Sequence, residues 1–182
     1  MSKEVIFQDM GIMPYKEAWD YQEEVFQSLV KSKLSDNNDK AQYLLFCEHN
    51  HVYTLGKSGN AQNLLIAEHI CKSKNIDYYP INRGGDITYH GPGQLVAYPI
   101  IDLDEFGIGI KSYISMLEDV VISVLNSYGI NGEKDENAMG VWIDANNPAK
   151  ARKICAIGVR ASRFVTMHGL ALNVNTALSN FS

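Results

Sequence analysis

The chain has 182 residues, of which 46% are hydrophobic, and this apolar content suffices for the core of one ordinary domain. Its net charge of -5 has the wrong sign for a general nucleic-acid-binding protein, and no run of about 18 apolar residues is present to cross a membrane. Three cysteines without paired spacing, and an N-terminus without a signal peptide's apolar stretch, favour a cytoplasmic location over a disulfide framework.

The first half of the chain predicts one helix followed by strands. Residues 13–30 have apolar side chains at helical spacing, with Pro14 in the first turn. The polar residues 32–40 predict a loop. Residues 43–47 are typical of a buried strand, and residues 52–55 are expected to continue the sheet.

The second half predicts an amphipathic helix and then several strands. Residues 107–129 have one apolar face, which we expect to be core, and Gly129 is placed as a C-terminal stop. Short apolar segments then follow and predict a meander of strands, at residues 141–143, 154–159, 164–165 and 170–174. Helices separated from runs of strands indicate a single α+β domain.

Two short motifs do not have the spacing of known cofactor or metal sites. Gly91-Pro92-Gly93 lacks the third glycine of a dinucleotide-binding loop, and strand-like residues follow it. His49 and His51 form an H-x-H pair whose one nearby soft ligand is Cys47. We therefore predict no metal and no cofactor, and we expect both histidines in a loop or at the surface.

Residues 83–99 read R-G-G-D-I-T-Y-H-G-P-G-Q-L-V-A-Y-P. The glycines permit a close approach of the backbone to a ligand, which a Cβ would block. Ile87 and Tyr89 alternate with Thr88 and His90, as in a half-buried strand. We interpret the segment as one wall of a binding site.

Lys153 stands at the head of the apolar run 154–157. Partial burial there would lower the pKa of the ammonium toward neutrality and make it a useful proton carrier. Cys155 would lie on the same face of a strand as Lys153, which makes it a candidate nucleophile. The alternative is that Cys155 is a buried, inert thiol, as is usual among apolar neighbours.

Residues 145–182 contain no Asp or Glu but several basic residues. This composition predicts a cationic patch that could attract an acidic protein or a phosphate-bearing arm, formed by Lys150, Arg152, Lys153, Arg160 and Arg163. In particular, Arg160 and Arg163 are predicted to dock an acidic carrier protein. The alternative is an ordinary solvated face.

Three ordered blocks resemble the octanoyltransferases of lipoate biosynthesis, also called lipoyl(octanoyl) transferases. Residues 83–99 are similar to that family's R-G-G-x-x-T-Y-H-G-P-G-Q signature with its following Y-P pair. Residues 152–160 and 166–175 are similar to its K-I-x-x-x-G-x-R and H-G-x-A-L-N-V blocks, and residues 48–56 more weakly to E-H-x-x-V-x-T-x-G. The resemblance implies a mixed β-sheet flanked by helices, as in biotin and lipoate protein ligases.

The resemblance also implies an activity and its residues. The enzyme would transfer an octanoyl group from acyl carrier protein to a lysine of lipoyl domains, in 2-oxoacid dehydrogenases and the glycine cleavage H protein, through an acyl-cysteine. Lys153 would hold the cysteine as thiolate and relay protons. The acyl pocket would be lined by Arg83, Gly84, Gly85, Asp86, Ile87, Thr88, Tyr89, His90, Ala156, Ile157, Gly158, Gly169, Leu170 and Ala171.

The sequence departs from the family at the nucleophile. The family's cysteine stands in a P-C-G motif shortly after the H-G-x-A-L-N-V block, and the 182 residues contain no such motif. We expect residues 1–182 to form a single octanoyltransferase-like catalytic domain that lacks its C-terminal part and is inactive as given. Two alternatives stay open: an ATP-dependent lipoate or biotin ligase, which the missing nucleotide-binding run disfavours, and a non-catalytic acyl-binding module.

Overall fold

The computed structural model describes residues 4–35, 41–57, 59 and 76–181. In chain order its elements are β1 (Val5–Met13), α1 (Tyr15–Leu34), β2 (Gln42–His49), β3 (Val52–Leu55), β4 (Asp77–Pro80), β5 (Ile87–His90), β6 (Gln94–Ile100), α2 (Leu103–Phe106), α3 (Ile110–Ser127), β7 (Glu133–Lys134), β8 (Val141–Ile143), β9 (Arg152–Ser162), β10 (Val165–Asn173) and a 3₁₀ turn (Leu178–Phe181). No helix in these ranges is long and apolar enough to cross a membrane.

The main sheet has seven strands in the order β1-β2-β6-β10-β9-β8-β7. β1 pairs with β2 in parallel, and the other neighbours pair antiparallel. The predicted meander is confirmed as β8 to β10, although residues 164–165 and 170–174 belong largely to one continuous strand, β10, and the short strand β7 precedes the meander. A smaller sheet has the order β4-β3-β5.

The two long helices cover opposite faces of the seven-stranded sheet. Ala171 and Leu172 are neighbours on β10, so their side chains point to opposite faces. Ala171 packs in the cluster that contains α1 residues such as Phe26. Leu172 packs with Val121 and Leu125 of α3. The prediction that the apolar face of α3 is core is therefore confirmed.

Helix ends follow the local signals, whereas β1 had not been predicted. α1 begins directly after Pro14 and ends at Leu34, four residues beyond the predicted end. Gly129 follows α3 with φ of +73°, which confirms its place as a stop. β1 is an edge strand with mostly exposed residues, so no alternation of buried and exposed side chains marks it in the sequence.

Two predictions about exposure were wrong. The strand β5 is not half-buried, because Tyr89 and His90, on opposite faces, are both buried. His49 is not in a loop or at the surface: it is fully buried, and its Nε2 lies 2.7 Å from the Tyr98 hydroxyl. His51 is exposed, as expected. Both errors arise because β3 and β5 pack onto the main sheet, which the local pattern does not encode.

Candidate active site

A channel runs along β9 and β10 on the face of the main sheet that α1 covers. It consists of a cavity of about 360 Å³ and an adjoining cleft of about 850 Å³, counted with the space open to solvent. Cavity and cleft share Thr88, Ala156 and Ala171 as lining residues. The strands β9 and β10 form the floor of the channel, and β5 with Arg83 forms the opposite wall.

Most of the predicted pocket residues do line the cavity. These are Arg83, Thr88, His90, Ala156, Ile157, Gly158, Gly169, Leu170 and Ala171. Ile87 and Lys153 line the cleft. The remaining predicted residues border neither space among the described residues, namely Gly84, Gly85, Asp86 and Tyr89. The structure thus brings residues from the segments 83–99, 152–160 and 166–175 together around one channel.

Arg83 organises the wall opposite β9. Its side chain is buried, and burial lowers the pKa of the guanidinium. The guanidinium donates to the carbonyl oxygens of Thr54 at 3.0 Å, Asp86 at 2.9 Å and Gly84 at 2.9 Å. The Gly84 N–H in turn donates to the Val159 carbonyl at 3.2 Å. Gly84 and Asp86 therefore contribute to the site indirectly, because their carbonyl oxygens fix the position of the Arg83 side chain.

Tyr89 is directed away from the channel. Its ring stacks on His51, with ring centroids 5.9 Å apart, and its hydroxyl is hydrogen-bonded with His51 Nδ1. Gly85 has φ of +88°, in the left-handed region that favours glycine. These two residues hold β5 and the turn before it in place.

Lys153 lies at the cleft end of the channel. Its Nζ is 4.7 Å from the centroid of the Trp142 ring. The residue as a whole is exposed, yet partial burial of the ammonium lowers its pKa below the ordinary lysine value. The predicted direction of this pKa shift is thus confirmed. Trp142 had not been singled out, because only the pairing of β8 with β9 brings it next to Lys153.

The prediction that Cys155 shares a face with Lys153 was wrong. Val141 pairs with Cys155 and Trp142 with Lys153, so β9 has one extra residue between them and the alternation reverses. Cys155 therefore lies in the cluster under α3, with no exposed surface. Burial raises the pKa of its thiol to about 12, and that of Cys47 to about 12. Cys71 lies outside the described residues.

Two neutral histidines line the cavity, His90 and His168. Burial lowers the pKa of His90 and of His168 to about 3 in each case. His90 Nδ1 lies 2.7 Å from Gln94 Oε1. His168 Nε2 is buried and has no hydrogen-bond partner within the described part of the chain. The same part holds no group of three or more potential metal ligands.

The cationic patch is only partly free to dock a partner. Arg160 Nη1 lies 2.7 Å from Glu23 Oε2 of α1, and its guanidinium packs 4.8 Å from the Phe26 ring centroid. Its charge is therefore compensated within the chain. Arg163 is exposed and has φ of +51°. Arg152 lines the cleft and is 3.3 Å from Asp144, so the basic residues nearest the channel are Arg152 and Lys153.

Comparison with known proteins identifies the family. The model of the lipoyl protein ligase A/B catalytic domain matches residues 14–182. The chain belongs to this family. The octanoyltransferase of Christiangramia forsetii is 55% identical over 186 residues, which cover 100% of this chain and 79% of that protein. The octanoyltransferase of Flavobacterium johnsoniae is 51% identical, with 100% and 80% covered. The family resemblance read from the motifs is thereby confirmed.

Solved structures agree with the lipoyl protein ligase A/B fold. A lipoate-protein ligase A bound with ATP superimposes with a TM-score of 0.65 at 16% identity and covers 99% of this chain and 70% of its own. LipL1 of P. falciparum in complex with lipoate gives a TM-score of 0.66 at 13% identity, with 96% and 50% covered. These similarities concern the fold alone, and they confirm the predicted α+β domain with a mixed sheet flanked by helices.

Sequence reasoning missed several residues of this lipoyl protein ligase A/B site. Tyr15, Val96, Tyr98 and His168 line the cavity, and Arg152, Gln94, Asn173 and Leu178 line the cleft. Tyr98 and His168 stand inside the matching motifs, so the Y-P and H-G signals could have indicated them. Tyr15 has no such signal, because only the packing of α1 on the sheet brings it to the cavity.

Proposed function

We propose that this protein is an octanoyltransferase, which transfers an octanoyl group from the phosphopantetheine thioester of acyl carrier protein to a lysine amine of a lipoyl domain. The observation that carries the proposal is the channel, in which the cleft lined by Lys153 adjoins a partly apolar cavity. Relatives about half identical over the whole chain that are named octanoyltransferase support it.

Apolar walls suit the acyl chain, and the open end suits the carrier arm and the acceptor lysine. Val96, Ala156 and Ala171 line the channel, and each buried methylene of a ligand is worth about 0.8 kcal/mol. The cleft is open to solvent, as two successive macromolecular substrates require. The exposed basic residue Arg152 at the cleft is suited to an acidic carrier or its phosphate.

The reaction would proceed in two balanced exchanges. A thiolate attacks the octanoyl carbonyl, a C–S bond to the enzyme forms, and the C–S bond to phosphopantetheine breaks as that thiol takes a proton from Lys153. The acceptor amine then attacks the acyl-enzyme, an amide forms, and the amine's proton passes to Lys153 as the enzyme thiolate leaves. By resemblance, the thiolate belongs to the family's P-C-G motif.

Cys155 is a poor candidate for that thiolate. It is inaccessible, lies on the face of β9 away from the channel, and has a raised pKa. A thiol of this kind is mostly protonated at neutral pH and cannot reach a carbonyl in the channel. We therefore propose that Cys155 does not act as the nucleophile.

An ATP-dependent ligase is the second candidate, because the family model describes both ligase A and ligase B domains. A form of the protein that carries the P-C-G motif is incubated with octanoyl carrier protein and a lipoyl domain, with and without ATP. Intact-mass spectrometry of the lipoyl domain is expected to show an added octanoyl group without ATP. A strict need for ATP and free octanoate would instead establish the ligase, and no modification under either condition would leave an acyl-binding module.

A further inference from the structure

Two nearly inaccessible side chains border the end of the cavity away from Lys153. On β6 and β10, Tyr98 and His168 lie beyond Val96 and Ala171 in the direction away from the cleft. Tyr98 is 3% exposed and His168 is 2% exposed, and both line the cavity. The Tyr98 hydroxyl is held by His49 Nε2 at 2.7 Å, and the Tyr98 ring lies edge-on to His168, with centroids 6.5 Å apart. The side chains at this end of the cavity are therefore held in place by contacts with one another and with His49.

The position of His168 is fixed by its backbone. Its φ is +62°, and its N–H donates to Gln22 Oε1 of α1 at 3.2 Å. On β10 it pairs with Val159 of β9. Its imidazole is buried, neutral and packed edge-on to the Tyr98 ring, and it borders the channel floor at this end.

The strand register gives the depth of the channel. Ala156 lines both the cleft and the cavity, and Val159 lies opposite His168. Three residues of strand at about 3.3 Å each span about 10 Å. An extended eight-carbon acyl chain spans about 9 Å from carbonyl carbon to methyl, given C–C bonds of about 1.5 Å. A carbonyl placed at Ala156, within reach of Lys153, therefore puts the methyl of an octanoyl chain at His168.

Gly158 keeps the channel open between these two points. Gly158 and Gly169 pair across β9 and β10, and both line the cavity. A Cβ at Gly158 would lie 3.1 Å from Arg83 Cδ and 3.2 Å from the Gly84 oxygen. The added methyl group would therefore narrow the channel before its end.

We propose that His168, backed by Tyr98, is a specificity-determining residue that limits the acyl chain to about eight carbons. The inference deepens the proposed function and rests on it, since it names the acyl length that the same site selects. A longer chain would have to press its methyl group against a fixed imidazole and a hydrogen-bonded phenol. A shorter chain would leave part of the cavity unfilled.

Two graded substitutions at His168 test the proposal. Asn and Gly both tolerate a φ of +62°, so His168→Asn and His168→Gly shorten and remove the side chain without backbone strain. Binding of S-acyl-pantetheine thioesters with 6, 8, 10 and 12 carbons to residues 1–182 is measured by calorimetry. We expect wild-type affinity to be highest at eight carbons. In His168→Gly the ratio of ten-carbon to eight-carbon affinity should rise about 15-fold, since each of the two further buried methylenes is worth about fourfold.

A third variant tests whether a narrower channel selects a shorter acyl chain, and a fourth variant is the control. Gly158→Ala should move the preference to six carbons, because its methyl group narrows the channel. Lys111→Ala replaces an exposed side chain of α3, on the other face of the sheet, and should leave the chain-length profile unchanged. Thermal unfolding reports whether each variant is folded. If His168→Gly does not fold, His168→Asn and Gly158→Ala decide the outcome.

Different results would contradict the role of His168 and the octanoyltransferase function. An unchanged length profile, or an equal loss of affinity at every length, in folded His168 variants would overturn the role of His168 while transfer activity stands. A profile that shifts as expected supports it. Absence of any ATP-independent transfer by the form that carries the P-C-G motif would overturn the octanoyltransferase function itself, whatever the binding profile.

Discussion

The Lys153 ammonium lies over the Trp142 ring, 4.7 Å from its centroid, and the two residues are register partners on β9 and β8. The indole N–H donates to the Ala138 carbonyl at 2.8 Å, which fixes the plane of the ring. Trp142 is thus a positioning residue for Lys153. It holds a long and otherwise exposed side chain at the cleft.

Loss of this ring should slow the reaction without unfolding the protein. Trp142→Leu removes a cation–π contact of about 0.5–1 kcal/mol, so we expect the transfer rate of the P-C-G-containing form to fall about two- to fivefold. Trp142→Phe keeps an aromatic face and should stay closer to wild type. Initial rates and circular dichroism check this, and a Leu variant with wild-type rate would contradict it.

Lys153→Ala should reduce the transfer rate by about 10²-fold or more, as expected for removal of a general acid-base group. Because the residue is exposed, the melting temperature should hardly change. Lys153→Arg should not restore activity, since a guanidinium stays protonated. Wild-type rates in a folded Ala variant would remove Lys153 from the mechanism.

The pH dependence of the wild-type transfer rate tests the protonation state of Lys153. Burial lowers its pKa below the ordinary 10.5, so the ammonium that gives its proton to the leaving phosphopantetheine thiol is lost at a lower pH than for a solvated lysine. We expect the rate to fall as the pH rises through this lowered pKa. This change of the rate with pH should be absent from the residual activity of Lys153→Ala.

Acid should destabilise the fold through its buried histidines. His90 and His168 have a folded-state pKa of about 3, lowered from 6.5 by burial, so the unfolded state binds more protons between these values. Stability is therefore complete above pH 6.5 and falls as the pH drops toward 3, by about 1.4 kcal/mol per pH unit for each histidine. Urea unfolding over this range checks it, and His168→Asn should reduce the slope by one proton.

The two paired glycines should respond differently to an added methyl group. A Cβ at Gly169 would lie 2.2 Å from the Ala97 oxygen, which is backbone of the neighbouring strand. Gly169→Ala should therefore lower the free energy of unfolding by about 3 kcal/mol. Gly158→Ala meets the flexible Arg83 side chain and a loop carbonyl, and should lower it by about 1 kcal/mol. Equal losses in chemical denaturation would contradict this difference.

Local patterns predicted the elements that carry a periodic apolar face. α3 has a buried stripe at helical spacing, and β8 and β9 are runs of apolar residues, so each could be assigned from its own residues. β1 could not, because its side chains are mostly exposed and its place depends on pairing with β2. His49 was misjudged for the same reason, since the groups that bury it come from other elements.

By itself the sequence determined the family, the α+β class and which segments border the site, because glycine-rich turns, a strand-borne lysine and ordered motifs are local features. The tertiary structure alone decided which side chains meet. The extra residue in β9 places Lys153 at the channel and Cys155 under α3. The pairing of β8 with β9 places Trp142 beside Lys153, and the packing of α1 and β6 brings Tyr15 and Tyr98 to the cavity. These contacts join residues far apart in the chain, and no periodicity within a segment encodes them.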